Sequence, residues 1–185
     1  MSGIVLAGGR GRRMGEVDKG WIELAGRPLV QHVLGRFAPQ VDDLVISANR
    51  SLERYRALGH VVVTDILSDF AGPLAGLHAA LPHTHHDLVA TVPCDCPRLP
   101  LDLVVRLRTA LESAQADIAV AWAGGRVQPV FCLCRRSVWE SLDTFLASGE
   151  RKVEAWHARL QHAQAQFDDQ PDAFRNINAP VDLDR

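Results

Sequence analysis

Gly3-Ile4-Val5-Leu6-Ala7-Gly8-Gly9-Arg10-Gly11-Arg12-Arg13-Met14-Gly15-Glu16-Val17-Asp18-Lys19-Gly20 is the stretch from which the rest of the chain can be read. Ile4 to Ala7 is short, apolar and partly β-branched, which predicts a buried strand. The run stops at two glycines, and Gly8 to Gly20 then holds five glycines and four cations in thirteen residues. Glycine lets the chain turn freely and brings backbone amides up to a ligand with no Cβ between. Amide N–H groups around anionic oxygens, with cationic side chains to neutralise them, suit a polyphosphate.

Spelling excludes two other phosphate loops. The P-loop requires G-x-x-x-x-G-K-[ST], but Gly20 follows Lys19 and Glu16 follows Gly15. The dinucleotide fingerprint G-x-G-x-x-G starts at Gly9 and Gly11 and fails at Met14. An ATPase of the P-loop type and a hydride-transfer enzyme are therefore disfavoured. A glycine-rich loop with delayed cations resembles the opening signature of nucleotidyltransferases.

The chain has 185 residues, 47% hydrophobic and 23% charged, with formal net charge −2. This composition predicts one globular domain over 1–185. Near-neutral charge gives no general pull toward nucleic acid or membrane, so any anion site must be local. No apolar run reaches membrane-spanning length, and Met1-Ser2 leads straight into the first strand. A cytoplasmic protein is expected. The four cysteines form two C-x-C pairs, Cys94/Cys96 and Cys132/Cys134. Zinc sites favour C-x-x-C, so burial as reduced core residues is the preferred reading, with a four-thiolate site as its alternative. His83-Thr84-His85-His86 falls after Pro82, where a helix should end, and reads as a loop.

Periodicity sets out the remaining elements. Trp21–Leu24 reads as a brief edge strand, and Leu29, Val30, Val33, Leu34 and Phe37 mark one face of a core helix. Strands are expected over 44–48, 60–64 and 87–92, with a short helix near 52–58 and a helix opening at Gly72-Pro73. A helix over 101–114 carries Leu103, Val104, Leu107 and Leu111. Ile118–Trp122, the Gly124-Gly125 turn and Val127–Cys134 read as a hairpin. Ser137 and Glu140 have capping-box spacing for the next helix, which Gly149 ends. A helical segment near Trp156 and a strand over 163–167 follow. Strand and helix alternate through residue 114, so the fold class is α/β: a three-layer, Rossmann-like sandwich on a mostly parallel sheet.

In such sheets ligands bind beyond the carboxyl ends of the strands. The glycine loop, Asn49, Asp65 and Asp95 each follow a predicted strand and should line one crevice. Asp95, in P-C-D, suits a carboxylate that holds Mg²⁺ against phosphates. Lys19 and Arg13 would offset charge on the transferred phosphoryl group and leaving pyrophosphate. Asn49 and Asp65 offer an amide and a carboxylate for a base or ribose, or act as turn formers. Gly72-Pro73-Leu74-Ala75-Gly76 either brings helix amides to a ligand or lets a helix pack closely.

Together these residues resemble the MobA-type molybdenum cofactor guanylyltransferases. The resemblance rests on Leu6-Ala7-Gly8-Gly9 through Lys19-Gly20, Gly72–Gly76, Pro93-Cys94-Asp95, Gln128-Pro129-Val130-Phe131, Arg151-Lys152-Val153 to Trp156, and Asn176-Ile177-Asn178-Ala179-Pro180-Val181-Asp182-Leu183. It implies a nucleotidyltransferase fold and transfer of GMP from GTP to molybdopterin, with or without molybdenum. Mg²⁺ is the implied cofactor, and cofactor-synthesis proteins and molybdoenzymes are the implied partners. It further implies that Leu6, Ala7, Gly8, Gly9 and Lys19 contact GTP. Asn49 and Asp65 would recognise the nucleoside, and Asp95 would hold Mg²⁺. The pterin would lie near Arg151, Lys152, Asn176 and Asn178. Glu16 and Gln128 depart from the family pattern, which usually has glycine and often histidine there. A cytidylyl relative on the same fold and a non-catalytic pterin carrier are the competing readings.

Overall fold

The structure, a computed structural model, describes residues 1–8, 18–65 and 72–177. Gly9, Arg13, Glu16 and Asn178 lie outside the described residues, as do Arg10 and Arg12. The elements run β1 (Ser2–Leu6), β2 (Glu23–Leu24), β3 (Arg27–Pro28), α1 (Leu29–Phe37), β4 (Asp43–Ser47), α2 (Leu52–Arg56), β5 (Val61–Val63) and α3 (Pro73–Ala80). They continue with β6 (Leu88–Pro93), α4 (Leu103–Ser113), β7 (Ile118–Ala123), β8 (Arg126–Arg135), α5 (Trp139–Ala147), α6 (Val153–His157) and β9 (His162–Gln166).

A seven-stranded sheet runs β5-β4-β1-β6-β8-β7-β9. The β5/β4, β4/β1, β1/β6 and β7/β9 pairs are parallel, and β8 is antiparallel to both of its neighbours. The mostly parallel α/β sheet is thus as read from the sequence, with one reversed strand. Strand side chains alternate between faces, and two apolar layers result. Val5, Ile46, Val92, Ala119 and Leu133 face a cluster with α1 and α4, whereas Ile4, Val45, Val89, Ile118 and Cys132 face one with α3 and α5. All five apolar positions expected on α1 are buried.

Three details differ from the sequence reading. Glu23–Leu24 pairs only with Arg27–Pro28 as a separate ribbon, and Trp21 belongs to a 3₁₀ turn, Lys19–Trp21. The capping box does not form: α5 starts after a 3₁₀ turn, Arg136–Val138, without a side-chain cap. Instead the Arg136 N–H donates to the Asp87 carbonyl at 2.7 Å, which pins the entry to the helix. The return strand β8 is also not regular. Val120 faces Cys132 while the next residue, Ala121, faces Gln128, so Pro129, Val130 and Phe131 bulge out of the β7 register. Proline cannot donate to a ladder, and a bulge is where a strand tolerates it.

The cysteine pairs are buried and free. Cys94 and Cys96 belong to one apolar layer, Cys132 and Cys134 to the other, so the sheet separates them. The histidine loop lies at the amino end of β1, where the His85 and His86 N–H groups donate to Ser2 Oγ at 3.2 and 3.1 Å. No helix among the described residues is long and apolar enough to cross a membrane.

Candidate active site

The carboxyl ends of β1, β4, β5 and β6 open into one cavity of about 320 Å³. Backbone bonds carry the ladder past the strand ends: Ala7 N–H to Ser47 O at 2.7 Å and Cys94 N–H to Leu6 O at 3.1 Å. These bonds fix the loops that follow. Leu6, Ala7 and Gly8 come from β1, Ser47 from β4, Asp65 from the end of β5, and Pro93, Cys94 and Asp95 from β6. Gly72, Pro73 and Gly76 of α3 form a further wall, and Lys19, Val130 and Asn176 complete it. Of the residues expected to share one crevice, Leu6, Ala7, Gly8, Lys19, Asp65 and Asp95 line this cavity, and Asn176, which the resemblance placed near the pterin, lines it too.

Asp95 is buried in the cavity wall, with its side chain 8% exposed. Its Oδ2 accepts from Lys19 Nζ at 3.3 Å. Burial pushes the carboxyl pKa up, and the Lys19 ammonium pulls against that shift. Lys19 is set by the turn around it. Asp18 Oδ1 accepts from the Gly20 N–H at 3.2 Å and from the Tyr55 hydroxyl at 2.7 Å, and Tyr55 is fully buried.

Asp65 is held from two sides. Ser47 Oγ donates to Oδ1 at 3.4 Å, and Asn49 Nδ2 donates to Oδ2 at 2.7 Å. Burial raises this carboxyl's pKa too, against both hydrogen bonds. Asn49 does not line the cavity. Its Oδ1 accepts from the Asp65 N–H at 3.0 Å, and Nδ2 also reaches Gly8 O at 3.4 Å, so both ends of the amide are engaged by the protein. Sequence reading missed Ser47, whose place at a strand end beside Asn49 was the available signal.

At Gly76, a Cβ would stand 2.7 Å from Ser47 Oγ and 2.9 Å from Leu6 Cδ2. Close packing of α3 on the sheet therefore requires glycine there. Gly72, at φ +83°, starts the helix in a conformation that L side chains rarely adopt. The segment therefore packs tightly on the sheet, and its N-terminal residues Gly72 and Pro73 border the cavity.

A second cavity, of about 730 Å³, adjoins the first and shares Pro93, Val130 and Asn176 with it. Arg126, Gln128, Glu154 and Arg175 line its other sides. The β8 bulge puts Val130 at the junction, where its carbonyl accepts from Thr91 Oγ1 at 2.5 Å. Arg151 and Lys152 line neither cavity. Arg151 Nη1 donates to Leu146 O at 2.8 Å and closes the end of α5, and Lys152 precedes the first turn of α6 without a side-chain capping bond. Val130 and the two cavity arginines were also missed; Pro129 inside a strand pattern was the signal for the bulge.

A family profile described as the MobA-like NTP transferase domain matches residues 3–164. A molybdenum cofactor guanylyltransferase of Shewanella putrefaciens is 49% identical over 175 residues, covering 95% of this chain and 90% of its own. One from Shewanella sp. strain ANA-3 is 47% identical over 182 residues, covering 98% and 92%. Among solved structures, molybdopterin-guanine dinucleotide biosynthesis protein A from Archaeoglobus fulgidus superposes with TM-score 0.79 at 26% identity, covering 100% of this chain and 96% of that one. A 4-diphosphocytidyl-2C-methyl-D-erythritol synthase from Anaerococcus prevotii reaches TM-score 0.77 at 12% identity, covering 98% and 92%, a likeness of fold alone.

Proposed function

The chain belongs to the MobA-like NTP transferase family, and from that premise we propose that it transfers GMP from GTP to the terminal phosphate of molybdopterin, with or without molybdenum. Pyrophosphate leaves and molybdopterin guanine dinucleotide forms. One observation carries the reading most: a buried Asp95 carboxylate faces Lys19 in a cavity that shares Pro93, Val130 and Asn176 with a second one. One cavity suits the nucleotide and the other the acceptor.

Asp95 fits a divalent cation. It is a buried carboxylate in a cavity with room for phosphate oxygens and water, and one or two carboxylates with such oxygens are the donor set that Mg²⁺ favours. Mg²⁺ held there supplies charge neutralisation on the phosphates. Lys19 Nζ adds a second positive charge beside them, and the sequence assigns the same task to Arg13. The N-terminus of α3 favours negative charge on a third side. The acceptor's terminal phosphate is already anionic, so no general base is needed. Its oxygen bonds to the α-phosphorus as the bond to the bridging oxygen of pyrophosphate breaks, and positioning with charge offset supplies the acceleration.

Asp65, held by Ser47 and Asn49, has a carboxylate to accept the N1–H and N2–H donors of guanine, which adenine does not offer there. Leu6, Ala7, Gly8 and Gly9 bring backbone up to the nucleotide, with Asn49 acting through Asp65. Asn176, Arg126 and Arg175 are assigned to the acceptor. A cytoplasmic location, where GTP is available, goes with this reading.

Thermal unfolding with Mg²⁺ and saturating GTP, ATP or CTP tests the nucleotide half. A ligand at about 100 times its Kd adds ~2.7 kcal/mol, or roughly 5–10 °C here. GTP alone should shift the transition, less so in Asp65→Ala. A shift with CTP alone would move the assignment to the cytidylyl relatives. GTP binding without pyrophosphate release in the presence of molybdopterin would mark a carrier.

A further inference from the structure

Cys96 has no place in the chemistry above, yet it sits directly behind it. The residue is wholly buried, one position after Asp95. Three acceptors surround its sulfur: Asn176 Oδ1 at 2.9 Å, the Phe174 carbonyl at 3.7 Å and Asp95 Oδ1 at 3.9 Å. A thiol has one hydrogen, and the nearest acceptor is the Asn176 amide oxygen. The backbone fastens the same two segments, with the Ile177 N–H donating to the Asp95 carbonyl at 2.9 Å. Phe174 is wedged edge-on between Phe131 and Phe167, with ring centroids 4.8 and 5.2 Å away. The segment bearing Asn176 is thus fixed in its backbone, and what remains to be set is the direction of the amide.

That direction matters because Asn176 belongs to the walls of both cavities. We infer that Cys96 is a positioning residue: its thiol holds the amide oxygen of Asn176 inward, so that the NH₂ group faces the junction of the cavities and donates to the acceptor's phosphate. This rests on the transferase reading above. The opposite amide orientation would present an oxygen to an incoming anion, which repels it. A purely structural cysteine would need none of this arrangement.

The test is steady-state pyrophosphate release with GTP and molybdopterin for wild type, Cys96→Ala, Cys96→Ser and Asn176→Ala. Loss of one oriented hydrogen bond is expected to raise the acceptor KM roughly tenfold in Cys96→Ala. The KM for GTP and the Mg-GTP thermal shift should stay as in wild type. Cys96→Ser, which keeps a donor, should restore the acceptor KM. Cys96→Ala combined with Asn176→Ala should be no worse than Asn176→Ala alone, because the thiol acts through the amide. Asn176→Asp, an exposed change that removes the NH₂, gives a second arm should Cys96→Ala fail to fold, and it must also raise the acceptor KM. An unchanged acceptor KM in Cys96→Ala, additive effects in the double variant, or an unchanged acceptor KM in Asn176→Asp would each overturn the role of Cys96. If the wild type itself releases no pyrophosphate from GTP with molybdopterin, the transferase reading falls, and this inference with it.

Discussion

On the metal assignment proposed above, stability and activity pull in opposite directions at Asp95. A carboxylate at 8% exposure is disfavoured by desolvation, and the single lysine beside it at 3.3 Å does not cancel that cost. Asp95→Asn should therefore raise the melting temperature of the ligand-free protein while abolishing turnover. Calorimetry and pyrophosphate release on the same sample check both halves, and an active Asp95→Asn enzyme would remove the metal assignment. Lys19→Ala should lower kcat by at least ~10²-fold, the scale of losing one donor aimed at transition-state charge. Wild-type kcat in that variant would exclude such a role. At this scale the sequence showed residue types but not their partners. Asp95 and Lys19 were readable from their motifs. That Asn49 turns its whole amide toward Asp65 and Gly8, and that Arg151 is occupied at the end of α5, depend on contacts across 16, 41 and 5 residues, respectively. No local pattern encodes which of these contacts a polar side chain will choose.

Among elements, α3 has least freedom. Its approach to the sheet is limited by Ser47 and Leu6, which a methyl group at position 76 would meet inside van der Waals distance. Gly76→Ala should cost about 1–3 kcal/mol, read as a lower urea midpoint with unchanged slope. It should also weaken GTP binding, because Ser47 would be displaced from Asp65. Helix and strand positions were largely legible, since apolar periods of two and 3.6 follow directly from which face is buried. The α1 stripe is the clearest instance. The β8 bulge and the failed capping box were less so. A bulge is a mismatch between two distant strands, and the 3₁₀ turn before α5 is held by a bond to Asp87 on the far side of the chain.

The molecule as a whole carries a buried histidine that ties its stability to pH. His157 on α6 is 6% exposed, and burial holds its pKa at about 4 against a usual 6.5. Above pH 6.5 neither state takes up the proton. Between about 6.5 and 4 only the unfolded chain does, so stability falls as pH drops through that window, by about 3 kcal/mol in all. Below about 4 this contribution is flat. His157→Phe should remove that part of the slope, measurable as melting temperature against pH for both proteins. The same slope in the variant would show that other groups set it.

The reversed strand β8 divides labour along the gene as well as across the sheet. Apart from Val130 and Asn176, the cavity assigned above to the nucleotide is lined by residues up to Asp95, and apart from Pro93 the second cavity is lined from Arg126 onward. Exchange of the later stretch between relatives should therefore redirect which acceptor is used while leaving the choice of nucleotide alone. A chimera of two relatives joined in the α4 region, between the two stretches, tests this by which acceptor and which nucleotide it uses.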